Sequence, residues 1–443
     1  MTANTTEAKV TDANEAALEL GTLSDAERTA SLHSIADAIE DSSDEILDAN
    51  AADVQEAEEM LAQGEYSRAL VDRLELSPSK LRSIAEMVRS VAGQADPLGE
   101  TLAARRLDEG MELYKVSVPI GVIGTVFESR PDALVQIAAL SLKSGNAVIL
   151  KGGSEASRSN RVLYDVIRDA TPDVPAGWAQ LIEAREDVET MLGMDDDIDL
   201  LMPRGSSEFV SYIQDNTSIP VLGHTEGVCH VFVDSEADLP MATEIAYDAK
   251  VQYPAVCNAV ETLLVHEDVA DEFLPGIAER YRRADVELRG DDAAREIVEM
   301  APATTEDWST EYGDLVISVT VVDSLDAAVD HVNTYGSKHT DSIVTDDADR
   351  ASSFMRRVDS ASVFHNTSTR FSDGYRFGLG AEVGISTGKT HARGPVGLEG
   401  LTTYKYHLEG SGQIVGTYAG EDAKPFLHEE FDGEWNPGRL SRD

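Results

Sequence analysis

Between Pro119 and Gly205 short apolar runs alternate with amphipathic stretches, and that alternation restricts the chain to one class of fold. The runs "GVIGTVF" (121–127), "AVIL" (147–150), "AQLIEA" (179–184) and "DLLMPRG" (199–205) read as strands. Between them lie "PDALVQIAALSLK", "SRSNRVLYDVIRDA" and "EDVETMLGM", with the three-to-four-residue period of helices. Unbroken apolar strands are buried on both faces, and a helix between two of them returns the chain to lay a parallel neighbour. The pattern therefore predicts a doubly wound parallel sheet. A second alternation starts near residue 240 with "PMATEIAYDAKVQ", "VETLLVH", "EDVADEFLPGIAERYRRA" and "LVISVTVVDS". It continues through "DAAVDHVNTYG", "DSIVT" and "ADRASSFMRRV" and predicts a second α/β unit. A chain of 443 residues exceeds one compact core, which agrees with two or three folded units.

The rest of the chain fits around these units. From about residue 12 to 95 the period is helical, with Leu32, Ile35 and Ile39 on one face and Ser24 or Asp25 placed to cap. "RRLDEGMELYKV" reads as a hairpin turning at "DEG". From 417 on, the acidic, Pro/Gly-punctuated end reads as a surface-hugging or mobile tail. No internal repeat is visible.

Charge and cysteine usage exclude several functions. The 82 Asp and Glu against 36 Lys and Arg leave a net charge of −46, spread along the chain. Dispersed acid with little lysine is the composition of a protein kept soluble in a high-salt cytoplasm. At molar salt the Debye length falls to about 3 Å, which screens the self-repulsion. The same charge argues against nucleic-acid and anionic-membrane partners. Neither a membrane-spanning apolar run nor a secretory signal is present in the sequence. Two cysteines, Cys229 and Cys257, fit a reduced, cytoplasmic setting.

Few residues advertise chemistry. Neither a G-x-G-x-x-G fingerprint nor a phosphate-binding P-loop is present, and no His/Cys/carboxylate group has metal-ligand spacing, so no metal is expected. Cys257 lies in "VQYPAVCNAVETLLV", where a helix hands over to a strand. There it can expose its sulfur to a cleft and, with Asn258, offer backbone N–H groups to a developing oxyanion. It can equally be a small buried hydrophobe, the usual fate of a free cysteine. Cys229, inside the apolar "GVCHVFVD", suits the second description better.

Several long segments, in order, decide between these. "ALVDRLELSPSKLRSIAEMVRSVAGQADPLG", "VPIGVIGTVFESRPDALVQIAALSLKSGNAVILKGGSEASRSN", "GVCHVFVD", "YPAVCNAVETLLV" and "GLGAEVGISTGKTHARGPVGLEGLTTYKY" resemble the gamma-glutamyl phosphate reductases (glutamate-5-semialdehyde dehydrogenases), a branch of the aldehyde dehydrogenase superfamily. The resemblance runs from about residue 12 to 416. It implies an aldehyde dehydrogenase-like α/β fold, with two doubly wound domains and a β-hairpin oligomerisation arm. The corresponding division is 1–103 and 119–235 for a dinucleotide-binding domain, 236–399 for a catalytic domain, 104–118 and 400–416 for the arm, and 417–443 for the tail. The implied reaction is NADPH-dependent reduction of L-glutamyl 5-phosphate to L-glutamate 5-semialdehyde and phosphate through a Cys257 thioester, in proline biosynthesis.

The resemblance also implies roles by position. Lys151 matches a lysine at the adenosine ribose, and Ser154 stands where NAD-preferring relatives carry a Glu, which favours NADP(H). Pro203, Arg204, Gly205 and Ser206 match the loop near the pyrophosphate, and Glu311 matches a glutamate at the nicotinamide ribose. Hydrolytic relatives place a Glu base where His224 stands here, with Glu226 two residues away; a base that activates water would waste a thioester. Arg130 of "FESRP", beside Glu128, takes the position of the wider family's Asn and can grip a phosphate or carboxylate bidentately. Asn366, Ser368, Arg370 and Phe371, then Arg393 and Gly394, are substrate-pocket candidates. The implied partners are a second copy of the chain, as dimer or tetramer, and a transient contact with glutamate 5-kinase. Two other readings stay open: a related enzyme with a different acyl donor or aldehyde, and a non-catalytic NADP-binding scaffold.

Overall fold

The computed structural model describes residues 5–224 and 226–436. Residues 1–4 of the expected first domain and 437–443 of the expected tail lie outside the described residues.

Five helices open the chain: α1 (Thr6–Leu20), α2 (Asp25–Asp41), α3 (Ser43–Gln63), α4 (Arg68–Leu74) and α5 (Pro78–Ala92). Local sequence sets their ends. At α2 the Glu27 N–H donates to Ser24 Oγ while the Ser24 N–H donates to Glu27 Oε2 at 2.8 Å, a reciprocal capping box. Ser77 caps α5 ahead of Pro78, whose missing N–H is not needed at the first helical position. Leu32, Ile35 and Ile39 of α2 pack with Leu81, Ile84 and Val88 of α5.

An antiparallel hairpin follows, β1 (Thr101–Asp108) and β2 (Met111–Pro119), with Gly110 at φ +68° in its turn. It begins at Thr101, slightly before the expected boundary at 104.

The first sheet is parallel: β3 (Val122–Phe127), β4 (Ala147–Gly152), β5 (Ala179–Ile182) and β6 (Leu200–Arg204), in the order β5-β4-β3-β6. Its helices are α6 (Pro131–Lys143), α7 (Ser157–Asp169), α8 (Arg185–Leu192) and α9 (Ser207–Asp215). Every residue of β3 and β4 is buried, because both faces are covered. Ile137 and Leu140 of α6 pack with Val148 and Leu150 on one face. Val10 and Ala13 of α1 pack with Val122 and Ile149 on the other.

The second sheet has seven strands, all parallel: β7 (Cys229–Val233), β8 (Val260–His266), β9 (Glu287–Gly290), β10 (Ala301–Pro302), β11 (Val316–Val322), β12 (Thr340–Val344) and β13 (Ser362–His365). Their order is β10-β9-β11-β8-β7-β12-β13. The connecting helices are α10 (Leu239–Val251), α11 (Glu267–Arg283), α12 (Asp292–Ile297), α13 (Leu325–Tyr335) and α14 (Ala348–Arg357). One boundary is corrected here. The division at 235 assigns "CHVFV" to the first unit, yet β7 lies inside the second sheet between β8 and β12. A five-residue buried strand carries no local mark of the sheet it joins, since long-range pairing decides that.

A small antiparallel pair, β14 (Gly384–Ser386) and β15 (Gly394–Val396), precedes β16 (Thr402–Glu409), which returns along β2. The tail then supplies β17 (Glu429–Glu430), paired with Arg105 and Arg106 of β1, so the arm sheet reads β16-β2-β1-β17. Phe431 meets Tyr114 edge-on at 5.9 Å, and Trp435 lies 3.9 Å from His407. Tyr418 Oη donates to Asp108 Oδ2 at 2.6 Å, beside a Lys424–Asp108 ion pair. Residues 417–436 therefore hug the arm.

Candidate functional site

Cys257 lies in the turn between α10 and β8, half-buried, with its carbonyl accepting from Cys229 Sγ at 3.2 Å. Gly227 fixes the approach of the neighbouring backbone. A Cβ at Gly227 would overlap the Cys257 carbonyl and come within 2.5 Å of its Cα, so this contact requires glycine. The Gly227 N–H in turn donates to Glu311 Oε2 at 2.9 Å. Asn258 Nδ2 donates to the Ser372 carbonyl at 2.7 Å, while its buried Oδ1 has no hydrogen-bond partner among the described residues.

The thiol opens into a cavity of about 900 Å³ walled by loops of both α/β units. Five arginines line it (Arg73, Arg130, Arg204, Arg370 and Arg376) against three carboxylates (Glu128, Asp373 and Glu382). A cationic pocket in a chain of net charge −46 is a local reversal, and it focuses anions onto the sulfur. Burial pushes the Cys257 thiol up to about 12; Glu311 and Glu382 push the same way and Arg204 opposes them. Burial likewise raises Glu382, whose Oε2 accepts from the Gly374 N–H at 2.8 Å. Burial, with Arg130 nearby, lowers Arg204.

Of the residues singled out in the sequence, Cys257, Asn258, Glu128, Arg130, Arg370, Pro203, Arg204, Gly205 and Ser206 all line this cavity. Arg130 follows Ser129, which sits at φ +49° with its N–H and Oγ held by Glu155 Oε1 at 2.5 and 2.9 Å. That unusual backbone is kept by its surroundings and aims the loop at the cavity. Arg370 is buried, with Nε donating to Gln252 Oε1 at 3.0 Å. Arg204, expected beside the pyrophosphate, stands close enough to the thiol to act on it electrostatically.

Four substrate candidates stand elsewhere. Asn366 occupies a turn at φ +56°, its side chain accepting from the Thr345 N–H at 2.9 Å and donating to the Thr345 carbonyl at 3.0 Å. Ser368 Oγ accepts from the Arg370 N–H at 3.3 Å, so it shapes the turn that carries Arg370. Arg393 grips Asp359 through Oδ1 at 3.1 Å and the carbonyl at 2.9 Å, and Gly394 follows it into β15. None of these four, nor the exposed Phe371, is among the lining residues. Asn, Ser and Gly in a turn-rich segment serve the backbone as readily as a ligand.

Glu382, Arg376 and His224 complete the wall, and Glu382 and Arg376 carry no signal in the sequence, where one acid or arginine among many is indistinct. Glu226 is exposed and is not among the lining residues. His224 Nδ1 lies 3.0 Å from the Ile385 carbonyl, and burial lowers its pKa, so the ring is neutral. One nitrogen each of His224 and His339 and the sulfur of Cys257 lie within 4.8 Å of one another. Residues from three separate segments meet there, a cluster that spacing along the chain cannot reveal.

The remaining predicted positions gather at the ends of β4 and β6. Lys151 is buried, its Nζ donating to the Gly152 carbonyl at 2.6 Å, and burial lowers its pKa. Ser154 opens the following single 3₁₀ turn (Ser154–Ala156). Ser206 caps α9, and its N–H donates to Glu128 Oε2 at 3.3 Å. A hollow of about 390 Å³ between α8 and α9 is lined by Arg185, Val188, Phe209 and Tyr212 together with Glu189, Ser206 and Glu208.

Comparison with known proteins places this geometry. A sequence model of the aldehyde dehydrogenase family matches residues 1–315. The chain is 76% identical over 435 residues to a gamma-glutamyl phosphate reductase from Natronomonas pharaonis, covering 98% of this chain and 99% of that one. It is 71% identical over 439 residues to the one from Haloquadratum walsbyi, covering 97% and 96%. Both organisms are haloarchaea. The crystal structure of the Thermotoga maritima gamma-glutamyl phosphate reductase superposes with a TM-score of 0.89 at 41% identity, covering 92% of this chain and 99% of that one. A lactaldehyde dehydrogenase structure, at 17% identity and a TM-score of 0.66, shares the fold.

Proposed function

The chain belongs to the aldehyde dehydrogenase family and, within it, to the gamma-glutamyl phosphate reductases, and on that premise we propose that Cys257 is the nucleophile that holds the acyl group. The reaction is reduction of L-glutamyl 5-phosphate to L-glutamate 5-semialdehyde and phosphate with a nicotinamide cofactor, a step of proline biosynthesis. The observation that carries the assignment to Cys257 is its place in the cationic cavity of an anionic chain. The substrate presents a phosphate, a carboxylate and an ammonium. Arg130, Arg204 and Arg370 suit the two anions, bidentately where geometry allows, and Glu382 with the unpartnered Asn258 Oδ1 suits the ammonium.

The residues fit a dinucleotide. Capped by Ser206, α9 offers backbone N–H groups to a pyrophosphate, and the hollow between α8 and α9 offers Val188, Phe209 and Tyr212 to a flat base. We assign NADP over NAD. Ser154 brings no carboxylate to the end of β4, Glu155 is engaged by Ser129, and Glu183 is paired with Arg161. When bound, the nicotinamide supplies a hydride.

The protein's own steps follow from the geometry. Cys257 Sγ attacks the acyl carbon, the carbon–oxygen bond to phosphate breaks, and the thiol proton passes through neutral His224 to the departing phosphate. Backbone N–H groups of Cys257 and Asn258 receive the oxyanion. After reduction the thiohemiacetal expels the Cys257 thiolate, which is reprotonated, and the aldehyde leaves. No carboxylate base occupies the place of His224, the position at which hydrolytic relatives carry one.

The arm supports a homo-oligomer, a dimer or tetramer: β16 is a sheet edge with exposed Tyr404, Tyr406 and Leu408. No helix among the described residues is long and apolar enough to cross a membrane. With both cysteines free, we place the enzyme in the cytoplasm, where transient contact with glutamate 5-kinase would deliver the labile acyl phosphate. The test is phosphate-dependent reduction of NADP+ by glutamate 5-semialdehyde in molar KCl. Cys257→Ser should lose it with its circular dichroism unchanged; retained turnover in that variant overturns the assignment.

A further inference from the structure

We propose that Cys257, His224 and His339 form a three-ligand site for a divalent transition metal of the zinc class, and that occupancy withdraws the thiol from reaction. The ligands come from the turn before β8, the loop before β7 and the position just ahead of β12. Their donor atoms already lie within 4.8 Å of one another. With metal–sulfur bonds of about 2.3 Å and metal–nitrogen bonds of about 2.0–2.1 Å, one sulfur and two nitrogens in a tetrahedral set stand roughly 3.3–3.6 Å apart. Closing the set therefore needs movements of about 1 Å, within the reach of small side-chain rotations.

Each imidazole has one nitrogen committed to a neighbour. The His224 Nδ1–H donates to the Ile385 carbonyl at 3.0 Å, which leaves the lone pair on Nε2. His339 Nδ1 lies 2.8 Å from Thr340 Oγ1, and His339 Nε2 is buried without a hydrogen-bond partner among the described residues, on a residue only 1% exposed. Such second partners orient metal-bound histidines and fix their tautomers. The two rings stand edge to face at 5.2 Å, so neither blocks the other. Cys229 Sγ lies behind the set, 3.7 Å from His339 Nδ1.

Binding is a proton-for-metal exchange without redox change. The Cys257 S–H bond breaks, a sulfur–metal bond forms, and the proton leaves to solvent. A fourth position, open to the cavity, takes water or a phosphate oxygen. The binding claim stands on the cluster alone; the inhibitory consequence rests on Cys257 being the nucleophile.

Cobalt(II) is the probe, added to the full chain in molar KCl. We expect one Co²⁺ per chain, with thiolate-to-cobalt charge-transfer absorption in the near ultraviolet that Zn²⁺ displaces. Cys257→Ser should abolish the band, and His224→Ala should weaken binding by about tenfold or more. His339→Gln should weaken it similarly. Absence of the band overturns the proposal. So does a band that survives in Cys257→Ser, since the sulfur would then be Cys229, or an affinity in both histidine variants that equals the parent chain's. Turnover of the metal-free variants bears on the reaction alone and leaves the spectroscopic result standing.

Discussion

At the scale of single residues the molecule turns on the environment of one sulfur. Burial pushes the Cys257 thiol up to about 12, with Glu311 and Glu382 adding to the effect and Arg204 opposing it. The group is therefore protonated in the free enzyme at neutral pH, and its thiolate fraction grows with pH up to that value. Iodoacetamide alkylation of Cys257 should keep accelerating through and beyond the ordinary thiol range. A rate that levels off near pH 8.5, the usual cysteine value, would contradict this electrostatic picture. The placing of Cys257 at a cavity was readable because its flanking segment is long and specific, and Arg130 and Ser206 reach the same wall from segments of the same kind. Glu382, Arg376 and His339 were not, because each is an ordinary residue whose meaning comes only from which distant segment it meets. Asn366 and Arg393 failed in the other direction, since turn chemistry and an ion pair with Asp359 absorb them.

Among elements, the parallel strands were the most legible, because doubly covered strands read as unbroken apolar runs. The assignment of β7 was not legible, since pairing with β8 and β12 is a long-range choice. The tail was only half legible: "FLHEEFDGEW" shows no alternation, yet Phe431 and Trp435 anchor it and β17 closes one edge of the arm. An unpaired edge strand invites pairing with another chain. Ending the chain at residue 416 should expose β1 and Tyr114 and produce concentration-dependent aggregates by light scattering in molar KCl. A truncated chain that keeps the parent's size distribution would show that β17 guards nothing.

For the whole molecule, charge and chemistry pull in opposite directions and are separated in space. A net charge of −46 covers a molecule whose Cys257 cavity is lined by five arginines. Screening makes this tolerable, because at about 1 M salt charges more than about 3 Å apart scarcely interact. Dialysis from molar to low salt should therefore lower the thermal midpoint substantially, and an unchanged midpoint would contradict the high-salt reading. The composition carried that environment plainly, and it carried nothing of the reaction, which only the arrangement of loops around Cys257 supplies. The central claim is that this cavity holds an acyl group on sulfur until hydride or phosphate, and not water, reaches it. The most direct measurement is a rapid-mixing experiment with glutamate 5-semialdehyde and NADP+ in phosphate-free molar KCl. A burst of one NADPH per active site that then stalls, and resumes on adding phosphate, is the predicted result. Steady NADPH formation without phosphate, or no burst at all, would contradict it.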